Sequence, residues 1–245
     1  SRIMKKVTLS LFGAMLAVGM LTGCGEKGTT LKSVQKAGKL TIATSPDFPP
    51  FESLGDNNEV VGIEIDVLNL ICEQLGVTLE INQMDFDSVL PGVQAGKFDV
   101  GVSGISVTEK RQKNVLFTDP YCLAAQAIVV TEGSSITCKA DLEGKKVSVQ
   151  TGTTAESFCM DNGYDVSSFA ANSDAQTALT SGKGGDQLVI LDEAMTTEPY
   201  AFAFAFGSED LVAEINTILN GLVADGTIAF IFEKYDAPYT SPANS

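Results

Sequence analysis

Between residues 39 and 240 the apolar positions alternate between two periods, and the alternation itself predicts the architecture. Leu40 to Thr44 and "VTLEIN" (77–82) have the short, apolar-rich pattern of strands. Between them "VGIEIDVLNLICEQLG" places Ile63, Val67, Leu70, Ile71 and Leu75 on one helical face, with Gly76 as a stop signal. "FDSVLPGVQAG" (86–96) follows as a short helix and "FDVGVSG" (98–104) as a buried strand. "KKVSVQTGTTAESF" (145–158) repeats the plan with a strand, a Gly/Thr loop and a helix start. The tail "EDLVAEINTILNGLVADGTIAFIFEKY" (209–235) is helical, broken at Asp225-Gly226. Such β-α alternation predicts α/β units with largely parallel sheets, whose ligand sites lie beyond the carboxyl ends of strands. Both Gly/Ser/Thr loops, 103–106 and 151–154, fall at such ends.

The first 24 residues do not fit that pattern. "MKKVTLSLFGAMLAVGMLTGCG" has a basic start and an apolar run from Val7 to Leu21, short of the roughly 20 residues a membrane span needs. It ends in small residues, as an export signal does. Residues 1–23 are therefore expected to be a signal peptide, preceded by a cloning remnant at Ser1 to Ile3. "LTGC" resembles the processing site of bacterial lipoproteins, which would make Cys24 the lipidated first residue of the mature chain. Residues 24–38, polar and glycine-rich at their start, are expected to be a tether between the lipid anchor and the folded body.

Charge narrows the partners. The chain carries 16 Lys and Arg against 31 Asp and Glu, and removing residues 1–23 takes the net charge from -15 to -18. Such a field opposes any sequence-independent grip on nucleic acid or on an anionic membrane surface. There is no histidine, which excludes histidine acid, base or nucleophile chemistry and makes a common zinc site improbable. Besides Cys24 the cysteines are Cys72, Cys122, Cys138 and Cys159; Cys72 falls on a helical core face, and spacing does not tell whether any of the others pair. No cofactor or metal is expected.

The candidate chemistry lies in the two loops. In "ISVTEKR" (105–111) Thr108 is a good N-cap, which puts Arg111 at the third helical position, where the helix dipole mildly disfavours a cation. An arginine placed there calls for an anion. In "QTGTTAES" (150–157) Gly152, Thr153 and Thr154 are expected to present backbone N–H groups at a helix start. A carboxylate held between the guanidinium and those groups accounts for both motifs.

These segments, together with "TIATSPDFPPFE" (41–52), "MDFDSVLPGVQAGKFDVGVSGISVTEKRQKNVLFTDPY" (84–121) and "INTILNGLVADGTIAFIFEKY" (215–235), resemble the amino-acid-binding proteins of ABC importers, the extracellular solute-binding proteins of family 3. The resemblance runs from about Leu40 to Tyr235. It implies a two-lobed α/β fold of the type II periplasmic-binding-protein kind, closing on a free amino acid in the cleft and delivering it to an ABC permease. It gives lobe 1 as 39–121 plus 205–240, and lobe 2 with its hinge strands as 122–204. By the resemblance Arg111 pairs with the ligand α-carboxylate, helped by backbone N–H groups of Ser106 and Thr154 with Thr153 beside them. Ser106 and the Gly104 carbonyl meet the α-ammonium, and Phe48 and Phe86 sandwich the ligand side chain. Ser45 stands where relatives that bind lysine, arginine or glutamine often have an aspartate, which favours an uncharged polar ligand. The expected protein is a monomeric receptor with no enzymatic activity.

One stretch departs from the family. "SGKGGDQLVILDEAMTTEPYAFAFAF" (181–206) leaves eight positions from Asp192 to Tyr200, where the family fits an aspartate-bearing ligand strand, a helix and a further strand. Either "LVILD" is the ligand strand, with Asp192 on the ligand ammonium and the following helix missing, or it is the later strand. In the second register, the preferred one, the ligand strand and its helix are lost near 183–185, lobe 2 is shortened and Asp192 makes no ligand contact. Phe206 also replaces a lysine common in the family, and nothing in the pattern explains it. The resemblance leaves two alternatives to an amino-acid receptor. A dehydratase on the same fold would need a carboxylate acid such as Asp47 or Glu52, and a shortened relative could be defective in binding.

Overall fold

The computed structural model describes residues 28–180 and 188–242. Residues 1–23, expected to be a signal peptide, Cys24 and residues 183–185 lie outside the described residues. The first element, α1 (Leu31–Ala37), corrects the expected tether. Thr30 caps it with a reciprocal capping box to Ser33, and Gly38 closes it at φ 71°. Val34 is buried in the lobe 1 core, and the Thr29 N–H donates to Ser208 Oγ at 2.8 Å. Two apolar positions, Val34 and the partly buried Leu31, and a capped start suffice to dock a short helix that reads as polar along the chain.

Lobe 1 continues through β1 (Lys39–Thr44), β2 (Asp47–Phe48), β3 (Glu52–Leu54), β4 (Val60–Val61), α2 (Ile63–Leu75), β5 (Thr78–Gln83), α3 (Phe86–Gln94), β6 (Val100–Gly101), α4 (Glu109–Gln112) and β7 (Leu116–Phe117). The chain crosses to lobe 2 along β8 (Cys122–Ala124). It builds β9 (Ala127–Thr131), β10 (Lys146–Gln150), α5 (Thr154–Asp161), β11 (Asp165–Phe169), α6 (Asn172–Thr180) and β12 (Leu188–Ala194). It returns along β13 (Glu198–Tyr200) to β14 (Ala203–Phe204), α7 (Glu209–Ala224) and α8 (Thr227–Lys234). β8 and β13 pair antiparallel, Tyr200 opposite Cys122, and form the two-stranded hinge. β14 belongs to the lobe 1 sheet, so lobe 1 resumes a few residues before the expected 205.

α2 buries Ile63, Val67, Ile71 and Leu75 as its periodicity predicts, and Leu68 with them; Leu70 is half-buried. The same core takes Leu211, Ile215, Leu219 and Leu222 of α7 and Ile228, Ile231 and Phe232 of α8. Lobe 1 is therefore packed by helices from both ends of the chain.

The lobes follow one plan with one difference. The lobe 1 sheet runs β5-β1-β6-β14-β7; β6 is parallel to β1 and antiparallel to β14. In lobe 2, β11 and β10 pair in parallel and β9 and β12 pair antiparallel, the counterparts of β5-β1 and β14-β7. No strand joins β10 to β9 among the described residues, so among them β6 of lobe 1 has no counterpart and the sheet is divided. β12 leads straight into the hinge, as β7 leads into β8, which is the position of the later strand of the preferred register. The lobe 2 core comprises Ile128, Val130 and Leu142, with Leu191 and Met195 packed against it. On the β9–β12 ribbon the cross-strand pair Val129 and Ile190 is 39% and 67% exposed, an apolar surface left without a covering helix among the described residues.

Candidate functional site

The carboxyl ends of β1, β6 and β10 meet at the cleft between the lobes, which opens a cavity of about 670 Å³. Ser45, Phe48, Phe86, Gly104, Ser106, Arg111, Thr153 and Thr154 all line it; Asp192 does not. Asp192 is exposed on β12, so as a ligand contact it is withdrawn. The reason is topological: β12 pairs with β9 and runs on into the hinge as the later strand, and Asp192, exposed on it, is not among the residues that line the cavity.

Arg111 is fixed as its position predicts. Thr108 Oγ1 accepts from the Arg111 N–H at 3.1 Å and starts α4. The guanidinium donates to the Ser106 carbonyl at 2.8 Å and, across the cleft, to the Gly152 carbonyl at 3.1 Å, with its carbon 5.9 Å from the centre of the Phe86 ring. Burial pulls its pKa down, and the charge of Glu198 opposes that pull. Glu198 is itself buried on β13, a neighbour that the motif gave no sign of. Five donors on one planar group leave N–H capacity for an anion beside these two carbonyls.

Gly104 has φ +56°, and a Cβ there would lie 2.7 Å from Phe48 Cε1, so only glycine lets that ring reach the loop. Phe48 stacks on Phe51 with centroids 5.3 Å apart and tilts toward Tyr200 at 6.5 Å. The lobe 2 loop departs in part from expectation. The Gly152 N–H donates to Glu156 Oε1 at 3.1 Å and is not free for an anion. Thr153 caps α5 through Oγ1, which accepts from the Glu156 N–H, and Thr154 is its first residue, where the N–H has no acceptor within the helix.

Three other groups shape the site through contacts that carry no sequence signal. Asp47 reaches across to lobe 2, where its Oδ2 accepts from the Asn172 N–H at 2.6 Å at the start of α6. Gln126 Nε2 donates to Thr154 Oγ1 at 2.9 Å. Behind the Ser103-Gly104 loop, Glu64 accepts from the Gly104 N–H at 2.9 Å and from the Tyr121 hydroxyl, and Glu52 accepts from Ser103 Oγ at 3.3 Å. Glu52 and Glu64 are both fully buried. Contacts of Asp47 and Glu52 that only folding creates could not be found by spacing.

Burial first, then the neighbouring Glu64 charge, pushes the Glu52 carboxyl well above its ordinary 4.5. Its Oε2 has no partner among the described residues, and a proton there turns an orphan acceptor into a donor beside Glu64. Because the folded-state pKa is raised, this group's stability contribution is complete below the unfolded value and is lost as pH rises toward the folded one. The slope is at most about 1.4 kcal/mol per pH unit. Glu52→Gln keeps a donor that does not titrate. Urea unfolding between pH 4.5 and 7 is expected to show a flatter stability profile for the variant, and parallel profiles would mean that Glu52 is ionised.

Residues 40–237 match the bacterial extracellular solute-binding proteins, family 3. The chain is 29% identical to ABC transporter arginine-binding protein 1 of Escherichia coli (strain K12), over 81% of this chain and 91% of that one. A solved mutant of the arginine-binding protein of T. maritima superposes with a TM-score of 0.79 at 34% identity, covering 84% of this chain and 98% of that one. An ancestral amino-acid-binding protein described as a precursor of cyclohexadienyl dehydratase superposes at 0.77 with 31% identity and the same coverage.

Proposed function

Because the chain belongs to the bacterial extracellular solute-binding proteins of family 3, the amino-acid-binding components of ABC transporters, we propose that it receives a free, uncharged polar amino acid between its lobes and passes it to a membrane permease. The observation that carries this reading is Arg111, half-buried at the cleft with one lobe's carbonyl on each side and spare N–H capacity toward the cavity. Its ligand α-carboxylate is also within reach of the helix start at Thr154, and the Ser106 hydroxyl and Gly104 carbonyl serve the α-ammonium. Phe48 and Phe86 flank the side chain.

Ser45 supports an uncharged ligand although the relatives above are named for arginine. Its hydroxyl donates to Asp47 Oδ1 at 3.2 Å, and Asp47 Oδ2 accepts from the Asn172 N–H, so the carboxylate beside Ser45 is already shared with the α6 start. A thermal-shift screen of the common amino acids, followed by calorimetry, tests the assignment. Asparagine, serine, threonine or glutamine is expected to raise Tm most, and a preference for arginine would overturn the class. The same protein incubated with prephenate tests for dehydratase activity, and turnover would replace the receptor reading.

The protein is proposed to act as a monomer held at the membrane by lipid on Cys24, which the sequence "LTGC" supports. Cys24→Ser is expected to release most of the expressed protein from the membrane fraction. A variant that still sediments with membranes would remove the anchor from this account.

A further inference from the structure

We propose that the divided sheet of lobe 2 is a strand-binding slot, and that it takes a short extended apolar peptide whose C-terminal residue lies in the cleft. The inference rests on the carboxylate-binding reading of Arg111 and extends the ligand class from free amino acids to peptides.

The cavity is not confined to the interlobe cleft. Every residue of β9 and every residue of β10 line it, and so do Leu142, Phe158 and Leu179 from beneath and beside them. Its volume of about 670 Å³ lies well inside the range of sites for ligands larger than one amino acid. Two facing strand edges make its walls: among the described residues β10 pairs with β11 alone and β9 with β12 alone. Backbone N–H and C=O groups along such edges need partners, and a purely hydrocarbon occupant supplies none. A peptide strand supplies both donors and acceptors, and its side chains enter an apolar lining.

Lobe 1 shows how such a strand would run. β6 lies parallel to β1 and antiparallel to β14, and the residues that follow it, Ser103 and Gly104, emerge at the cleft. A peptide parallel to β10 and antiparallel to β9 has the same direction, so its carboxyl end emerges beside the loop that follows Gln150. Arg111 waits there, bonded to the Gly152 carbonyl of that loop. β10 has five residues, about 17 Å of strand, which sets the peptide at four to six residues. Arg111 at the carboxyl end calls for a free C-terminal carboxylate, and the mostly apolar walls, with Lys145 and Lys146 lining the far end at the start of β10, call for a peptide without cationic side chains.

The test uses the full chain and an acetylated pentapeptide, acetyl-Val-Thr-Val-Ala-Ser, with a free or an amidated C-terminus. Calorimetry is expected to show binding of the free acid and at least tenfold weaker binding of the amide. Hydrogen exchange is expected to slow at least tenfold across Lys146–Gln150 and Ala127–Thr131 with the peptide, and not with a free amino acid. Arg111→Ala is expected to lose the distinction between acid and amide. If a free amino acid binds while the peptide does not, or the peptide binds without protecting those strands, the slot is overturned and the cleft reading stands. If neither ligand binds, both are overturned. Equal binding of acid and amide would overturn the direction assigned to the strand, and the proposal with it.

Discussion

Arg111→Ala is expected to abolish amino-acid binding while leaving the fold intact. The guanidinium is half-buried at the cleft, so a ligand carboxylate paired with it is largely removed from water, and truncation leaves that carboxylate without a counter-charge. Losing such a charged contact costs about 2 to 5 kcal/mol, roughly thirtyfold to several thousandfold in affinity. The fold should tolerate the change, because α4 is a four-residue turn whose start depends on Thr108 and not on the side chain of Arg111. Calorimetry with the best amino acid from the screen, beside circular dichroism of the variant, measures both halves of the statement. Unchanged affinity in a folded variant would remove Arg111 from the site.

Hydrogen exchange is expected to find lobe 2 opening well before lobe 1. Lobe 1 has a continuous five-stranded sheet and a core to which α2, α7 and α8 all contribute. Lobe 2 has a divided sheet, a core of Ile128, Val130 and Leu142, and the exposed pair Val129 and Ile190. Fewer buried contacts and unpaired strand edges place a region at the low end of local stability. Amides of Val147 to Val149 and Leu188 to Leu191 should exchange at least tenfold faster than those of Leu40 to Thr44 and Val100 to Val102. Tenfold corresponds to about 1.4 kcal/mol of opening free energy. Uniform protection across both lobes would mean that the divided sheet carries no energetic penalty.

The sequence by itself determined the elements and their order, because period and capping are local. Ile63, Val67, Ile71 and Leu75 announce one face of a helix whatever it packs against, and Thr108 and Thr153 announce helix starts through bonds to their own near neighbours. From Thr108 the place of Arg111 in its helix follows by counting. Family resemblance then gave the cleft residues from Ser45 to Thr154, which the fold brings to one cavity. The docking of α1 was not legible, since one i, i+3 apolar pair, Leu31 and Val34, is too short a pattern to read, and the contact to Ser208 is distant along the chain. Which strand carries Asp192 was open for a related reason. The letters "LVILD" suit an inner or an outer strand equally, and only pairing with β9 and direct passage into the hinge select the outer one. Tertiary structure alone also decided what surrounds the buried charges. Glu198 near Arg111, Asp47 on the start of α6 and Glu52 beside Glu64 are encounters between residues far apart in the chain. Their consequences depend on burial and on distances of a few ångströms, and neither quantity exists until the chain has folded.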